Sequence, residues 1–180
     1  WSSDVCSSDL LKKDELTCAL FARFIRTQNV TKCWRKAGGE WTVQNVAFVD
    51  DWAEREYGIL ISALTHTIET GGFVAGAFSN GDLKGFVSVE SCLFGSGNQY
   101  LDLSSIHVSQ DMRGKGVGKE LFRLAKGWAK SRGAQKLYIS AHSAVESQAF
   151  YRAMGCVEAA EYNRGHVEKE PCDCQLECRV

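Results

Sequence analysis

Residues 111–121, DMRGKGVGKEL, interleave three glycines with basic residues directly ahead of LFRLAKGWAK, which has the period of an amphipathic helix. A glycine run at a helix start lets backbone N–H groups approach a bound group closely, and the helix adds its positive dipole end. The stretch therefore reads as an anion-binding loop. Two phosphate templates fail on it. A Walker loop places glycine where Arg113 stands and Ser or Thr where Glu120 stands, and a dinucleotide fingerprint needs a third glycine where Lys119 stands.

Working outward, 180 residues with 44% hydrophobic content are the size of one ordinary domain with a real core. Lys plus Arg (21) nearly balances Asp plus Glu (22), so no overall charge draws the chain to nucleic acid or anionic lipid. The longest apolar run, YGILISALTHTI, is short and interrupted by polar residues, which argues against a membrane partner. The eight cysteines form no zinc-ligand spacing, so no metal is expected. Cys172, Cys174, Leu176 and Cys178 alternate with Asp173, Gln175, Glu177 and Arg179, as a half-buried strand requires. A cytoplasmic location is expected.

The first ten residues, WSSDVCSSDL, show no helix or strand period, and VCSSDL matches the translation of a sequencing-adapter tail (GTG TGC TCT TCC GAT CTN). Residues 1–10 are expected to be a non-native leader, with a natural first strand missing and the domain spanning 11–180. KKDELTCALFARFI then predicts a helix. Next come a hairpin about AGGE, a helix ending at Gly71 and Gly72, and a second hairpin about NGD. In YLDLSSIHV the apolar residues Leu101 and Leu103 give way to Ile106 and Val108. That change of parity predicts a bulge near Ser104 and Ser105; a strand buried on both faces is the alternative. After the glycine loop and its helix follow the strand KLYISA, the helix SAVESQAFYRAMG, and the strands CVEAAEY and CDCQLECRV. The fold class is α/β, a single mixed central sheet flanked by helices.

RGKGVG at 113–118 resembles the R/Q-x-x-G-x-G/A signature of the GNAT N-acetyltransferases. LSSIHVSQDMRGKGVGKELF, KLYISA and SQAFYRAMGCVEA carry the resemblance from about residue 73 onward. The resemblance implies acetyl-CoA as co-substrate, with its pyrophosphate on Arg113, Gly114, Lys115, Gly116, Val117, Gly118 and Lys119. It implies a bulged, splayed strand before the loop, whose residues Ile106, His107 and Val108 would meet the pantetheine arm. Tyr151 matches the tyrosine that family members place near the sulfur as general acid. Where the family often has Asn and Ala, this chain has Ala144 and Ser147, so Ser147 or Ser143 is expected to take over that contact.

For a general base, Asp102 lies near the place of a family glutamate and would act through a water, with Glu90 and His107 as rivals. The acceptor is expected against Trp34, Trp41 and Glu90, with Trp52 extending an aromatic wall and Glu40, Asp50 and Asp51 offering charge; the tryptophans serve equally as core or as a homodimer contact. The leading expectation is acetyl transfer to a small primary amine such as an amino acid, a polyamine or an aminoglycoside-like drug. Protein N-terminal or lysine acetylation is the enzymatic alternative, and a non-catalytic acyl-CoA sensor the alternative of another class.

Overall fold

The computed structural model describes residues 7–180. Of the ten residues read as a leader, the first six lie outside the described residues. Ser7–Leu10 form an exposed edge strand, β1, so this part of the leader takes up a strand that its sequence does not announce. The single helix expected over residues 12–25 is instead two 3-10 turns, Lys13–Glu15 and Cys18–Phe21. Thr17 between them is extended, at φ −127° and ψ 161°, and the apolar anchors that are buried are Leu16, Phe21 and Phe24. Burial of that trio decides the backbone path over local helix preference.

β2 (Thr27–Ala37) and β3 (Glu40–Asp51) form the first hairpin, closed by Gly38 and Gly39 at φ 60° and 88°. Two successive positive-φ residues are what a type I′ turn needs. α1 (Glu54–Glu69) starts with the Glu56 carboxylate accepting the Ala53 amide at 2.9 Å. It buries Leu60, Leu64 and Thr67, and Gly71 ends it at φ 81°. β4 (Phe73–Ser79) and β5 (Asp82–Val89) make the second hairpin about Asn80 and Gly81. Then come β6 (Tyr100–Asp102), β7 (Ser105–Val108), α2 (Val117–Ser131), β8 (Lys136–Ala141) and α3 (Val145–Ala153). The chain ends with β9 (Val157–Glu158), α4 (Arg164–Lys169) and β10 (Cys174–Arg179).

The sheet is mixed α/β and splays into two four-stranded halves, ordered β1-β4-β5-β7 and β6-β8-β10-β9. The split falls where the parity of YLDLSSIHV changes. Leu103 donates its amide to Tyr138 of β8 at 2.9 Å, whereas the next amide, that of Ser104, crosses to Ser88 of β5 at 3.1 Å. Ser88 also pairs with Ser105, so two residues oppose one, which defines a bulge. Before it the strand runs parallel to β8; after it the strand runs antiparallel to β5.

α2 and α3 pack on one face of the sheet over Val87, Val89, Leu101, Leu137, Ile139 and Leu176. α2 contributes Val117, Leu121 and Phe122, whose burial is worth about 1.5–3 kcal/mol each. Leu121→Ala would lose about 2–5 kcal/mol. On the opposite face, the 3-10 segment and α1 cover Val74, Leu83 and Phe86.

β10 corrects the half-buried reading. Cys174, Leu176 and Cys178 do line the core, but Gln175 and Glu177 on the other face are buried too. Tyr138 donates to Gln175 at 2.6 Å, while Tyr100 and Lys136 donate to Glu177 at 2.5 and 2.7 Å. A buried carboxylate is tolerated because each oxygen is paired. The expected long strand CVEAAEY shrinks to two residues, and α4 was not anticipated. Every described cysteine is free.

Candidate functional site

The glycine loop comes first because its backbone is fixed by sequence. Gly114 and Gly116 have φ 77° and 87°, values that side chains resist, and an added Cβ at either would meet nothing within 4 Å. The space beside them is open. Gly116 is the N-cap of α2 and has no side chain to cap it, so the amides of Val117, Gly118 and Lys119 begin the helix without acceptors inside it. Gly118 does a different job. It is helical, and its Cβ would sit 3.1 Å from Phe150 and 3.5 Å from Val108, so it lets α2 lie close to α3 and β7. Arg113, Lys115 and Lys119 are exposed around the loop. Arg113 turns back to donate to the Val108 carbonyl at 3.3 Å, and its pKa is lowered by partial burial and then by Arg26.

The edge of β7 leads from this loop into the sheet. The Ser109 amide bonds Lys84 at 2.9 Å, which makes Ser109–Lys84, Phe86–His107 and Ser88–Ser105 the bonded pairs of an alternating antiparallel ladder. Ile106 and Val108 therefore point their N–H and C=O groups away from β5, into the opening towards β8. His107 does not share that edge, since its backbone is committed to Phe86. β8 pairs with the bulged strand only as far as Tyr138, so β7 and residues 139–141 are not paired across the opening; of the outward groups of β7, the Val108 carbonyl is met by Arg113.

A cavity of about 550 Å³ lies on the α1 face of this opening. Glu90, Asp102, Ser105 and His107 reach it from the strands, Trp52 and Glu56 from the start of α1, and His166, Glu170 and Asp173 from α4 and the turn beyond. His166 Nε2 lies 2.8 Å from Asp102 Oδ2, and its ring stacks on Tyr138 with centroids 5.7 Å apart. The hydrogen bond to Asp102 raises the pKa of His166. Asp102 Oδ1 is buried with no hydrogen-bond partner. Glu90 accepts from Thr67 and Ser104, both at 2.7 Å, and burial raises the pKa of Asp173.

His107 is held as neutral imidazole. Arg26 Nε donates to its Nδ1 at 3.2 Å, Trp52 and Phe86 pack on the ring, and burial followed by Arg26 pushes its pKa down to about 3. A group so resistant to protonation is not a general base near neutral pH. Tyr151 lies on α3, on the opposite side of the sheet from Asp102. It is buried against Phe122 and Phe150, burial raises its pKa, and no partner meets its hydroxyl among the described residues.

The structure thus brings Asp102 and Glu90 together at the cavity, with Ile106, Val108 and the glycine loop along the adjoining opening. Trp34 and Trp41 are elsewhere. Arg152 covers Trp34 at 4.4 Å, Trp41 donates to Glu158 at 3.1 Å, and the Trp34 amide bonds Ser143 at 2.8 Å. These two rings fasten the β2–β3 hairpin to α3 and β9, and Trp52 is the tryptophan that reaches the cavity. Ser143 is occupied by Arg35 at 2.5 Å, while Ser147 sits half-buried in the first turn of α3. His166 was missed. Asn163, whose side chain caps α4, and Pro171 beyond it bracket a short helix in the sequence, but nothing local links residue 166 to residue 102. Among the described residues no His, Cys, Asp or Glu cluster is arranged for a metal ion, and no helix is long and apolar enough to cross a membrane.

Comparison with known proteins bears on this arrangement. The model of the acetyltransferase (GNAT) family matches residues 35–156. Streptothricin acetyltransferase of Streptomyces lavendulae is 38% identical over 79 residues, 43% of this chain and 40% of that protein, so the match spans less than half of that relative's length. The crystal structure of nourseothricin acetyltransferase superposes with a TM-score of 0.66 at 19% identity, covering 96% of this chain and 95% of that one. A Bacillus anthracis str. Ames structure in complex with acetyl coenzyme A gives a TM-score of 0.71 at 18% identity, covering 97% and 98%. At such identities the two structures establish the fold.

Proposed function

The chain belongs to the GNAT acetyltransferase family, and from that premise we propose that it acetylates a small cationic amine, using acetyl-CoA, by direct attack of the amine on the thioester. The observation that carries this reading is the position of the acidic cavity. Glu56, Glu90, Asp102, Glu170 and Asp173 all line it, against Lys169 as the one lysine, and it opens beside the free edge of β7. Its volume is in the range of small-molecule pockets. Carboxylates in a partly enclosed site favour an ammonium over a neutral or anionic group. The names of the relatives, streptothricin and nourseothricin acetyltransferase, support a small-molecule acceptor.

The residues present fit acetyl-CoA. Gly114 and Gly116 leave the space beside the loop open, the first amides of α2 can receive a diphosphate, and Arg113, Lys115 and Lys119 flank it with positive charge. Ile106 and Val108 offer backbone groups for a strand-like pantetheine arm. Bound there, acetyl-CoA supplies an activated acyl group. Tyr151, buried and neutral with its hydroxyl unspent, is the group assigned to protonate the departing thiolate. The Asp102 and Glu90 carboxylates orient the ammonium on the other side of the sheet.

Turnover of acetyl-CoA against a mixed panel of small amines and short peptides, read by mass spectrometry, tests the proposal. Acetylated small cationic amines are expected. Acetylated peptides alone would move the reading to protein modification, and acetyl-CoA binding with no product would indicate a sensor.

A further inference from the structure

We propose that His166 is the catalytic base of this reaction, receiving the acceptor's proton on Nδ1, and that Asp102 is its positioning residue. This rests on the acetyl-transfer reading above and names a group for the one proton that the reading leaves unassigned. Three observations carry it. First, Asp102 comes from β6, immediately before the bulge, and His166 from α4, 64 residues along the chain, yet their side chains meet at 2.8 Å in the wall of the acidic cavity. Second, Asp102 accepts through Oδ2, which places the imidazole hydrogen on Nε2 and leaves the lone pair on Nδ1. Tyr138 stacked on the ring fixes its plane. Third, Asp102 Oδ1 is buried with no hydrogen-bond partner, so the side-chain bond that this carboxylate makes in the cavity wall is the one to His166.

The groups around His166 agree with this role. Asp102 faces it from β6, Tyr138 from β8, Asp173 from the turn before β10, and Lys169 from its own helix, with Glu56 and Glu90 across the cavity. The carboxylates outnumber the lysine, and the His166 pKa is raised, chiefly by Asp102. The rival histidine, His107, has its Nδ1 already occupied by Arg26.

In the step itself, the acceptor ammonium passes one proton to His166 Nδ1. The freed nitrogen lone pair forms the new C–N bond with the acetyl carbonyl carbon. The carbon–sulfur bond breaks with its electrons on sulfur, and Tyr151 protonates the thiolate. The second proton, lost by nitrogen as the amide forms, restores Tyr151 through solvent, and His166 releases its own to solvent. One proton leaves per turnover.

The test is the pH dependence of kcat for wild type, His166→Gln and His166→Ala, with acetyl-CoA affinity measured in parallel. Gln keeps a donor for Asp102, so it preserves any structural tether between α4 and β6. Both variants are expected to bind acetyl-CoA like wild type and to lose about 10²-fold in kcat. The acidic limb of the profile should disappear, and added imidazole should restore part of the His166→Ala rate. Asp102→Asn should move the acidic limb to lower pH, because His166 loses the carboxylate that raises it. A His166→Gln enzyme with kcat within twofold of wild type overturns the assignment. So does a loss of kcat that leaves the limb in place and does not respond to imidazole. If wild type itself acetylates no amine, the acetyl-transfer reading fails first and the base assignment with it.

Discussion

Gly116→Ala separates the loop's ligand role from its fold role, because the chain carries its own control. Gly116 at the N-cap of α2 has φ 87° and Gly133 just past its C-terminus has φ 85°, and an added Cβ at either meets nothing within 4 Å. Neither substitution causes a clash, and both force an L-residue into the left-handed region, at about 1–2 kcal/mol. For a domain of this size that lowers Tm by about 2–4 °C per kcal/mol, equally for the two variants. Only Gly116 borders the proposed diphosphate site; Gly133 is a whole helix away, about 22 Å at 1.5 Å per residue. At Gly116 the methyl group projects into space the ligand needs and displaces one amide-to-phosphate hydrogen bond. A hydrogen bond to a charged group is worth about 1.5–3 kcal/mol, a rise of about 10- to 150-fold in the Kd for acetyl-CoA. Titration calorimetry at a temperature where both variants are folded reads the difference. If the Gly116→Ala Kd lies within twofold of the Gly133→Ala value, the loop does not cradle the diphosphate.

Tyr151→Phe should lower kcat with unchanged acetyl-CoA affinity and little change in Tm, since the ring stays packed on Phe122 and Phe150 and no hydrogen bond to the hydroxyl is lost; a clear fall in Tm would mean the hydroxyl is bonded. His107 titrates near 3 when folded and near 6.5 when unfolded, so the unfolded chain takes up its proton first as pH falls. Its contribution to stability is complete above about pH 6.5 and erodes below that by up to about 1.4 kcal/mol per pH unit. His107→Gln, which still offers Arg26 an acceptor, should flatten the acid side of the stability curve measured by urea melts, and parallel curves would refute the assignment. Trp52→Ala should raise the KM for the amine, whereas Trp34→Ala should cost about 3–5 kcal/mol of stability, or less where the hairpin relaxes, with KM unchanged. The reverse pattern would return the acceptor wall to the hairpin.

What the sequence made legible was local. The glycine loop could be read because positive φ and helix initiation depend on a few consecutive residues, and the bulge because parity is a property of one strand. The failures share a cause. The segment holding Leu16 and Phe24 has helical spacing, yet its backbone follows the burial of Phe21 against Phe86, with ring centroids 5.7 Å apart. Gln175 and Glu177 read as a solvent face because alternation says nothing about Tyr100, Tyr138 and Lys136 waiting on the neighbouring strands. Trp34 and Trp41 read as an acceptor wall because an aromatic on a hairpin does not reveal which neighbour it will meet. His166 was silent for the same reason: its partner, Asp102, is brought to it by β6 pairing beside β8 and by the short helix α4.

The bulge explains why so many of these residues converge. Residue 103 bonds to β8 and residue 104 to β5, so one strand serves two half-sheets that diverge beyond it. A regular strand would have kept β7 paired to β8, closing the opening and using up the outward groups of Ile106 and Val108. The same extra residue reverses side-chain parity. Asp102 before it and His107 after it both face the α1 side, although they are five positions apart, and Leu103 and Ile106 both face α2. Ser104→Gly tests this directly. The Ser104 hydroxyl bonds Glu90 and Ser88, at 2.7 and 2.8 Å, while its amide makes the crossing bond to Ser88. Glycine keeps the amide and loses the hydroxyl, so the bulge should persist at a cost of about 1–3 kcal/mol, with acetyl-CoA affinity near wild type and Glu90 loosened at the acceptor side. Deleting Ser104 removes the extra residue and should re-pair β7 with β8, abolishing acetyl-CoA binding. A folded deletion variant that still binds acetyl-CoA would show that the opening does not depend on the bulge.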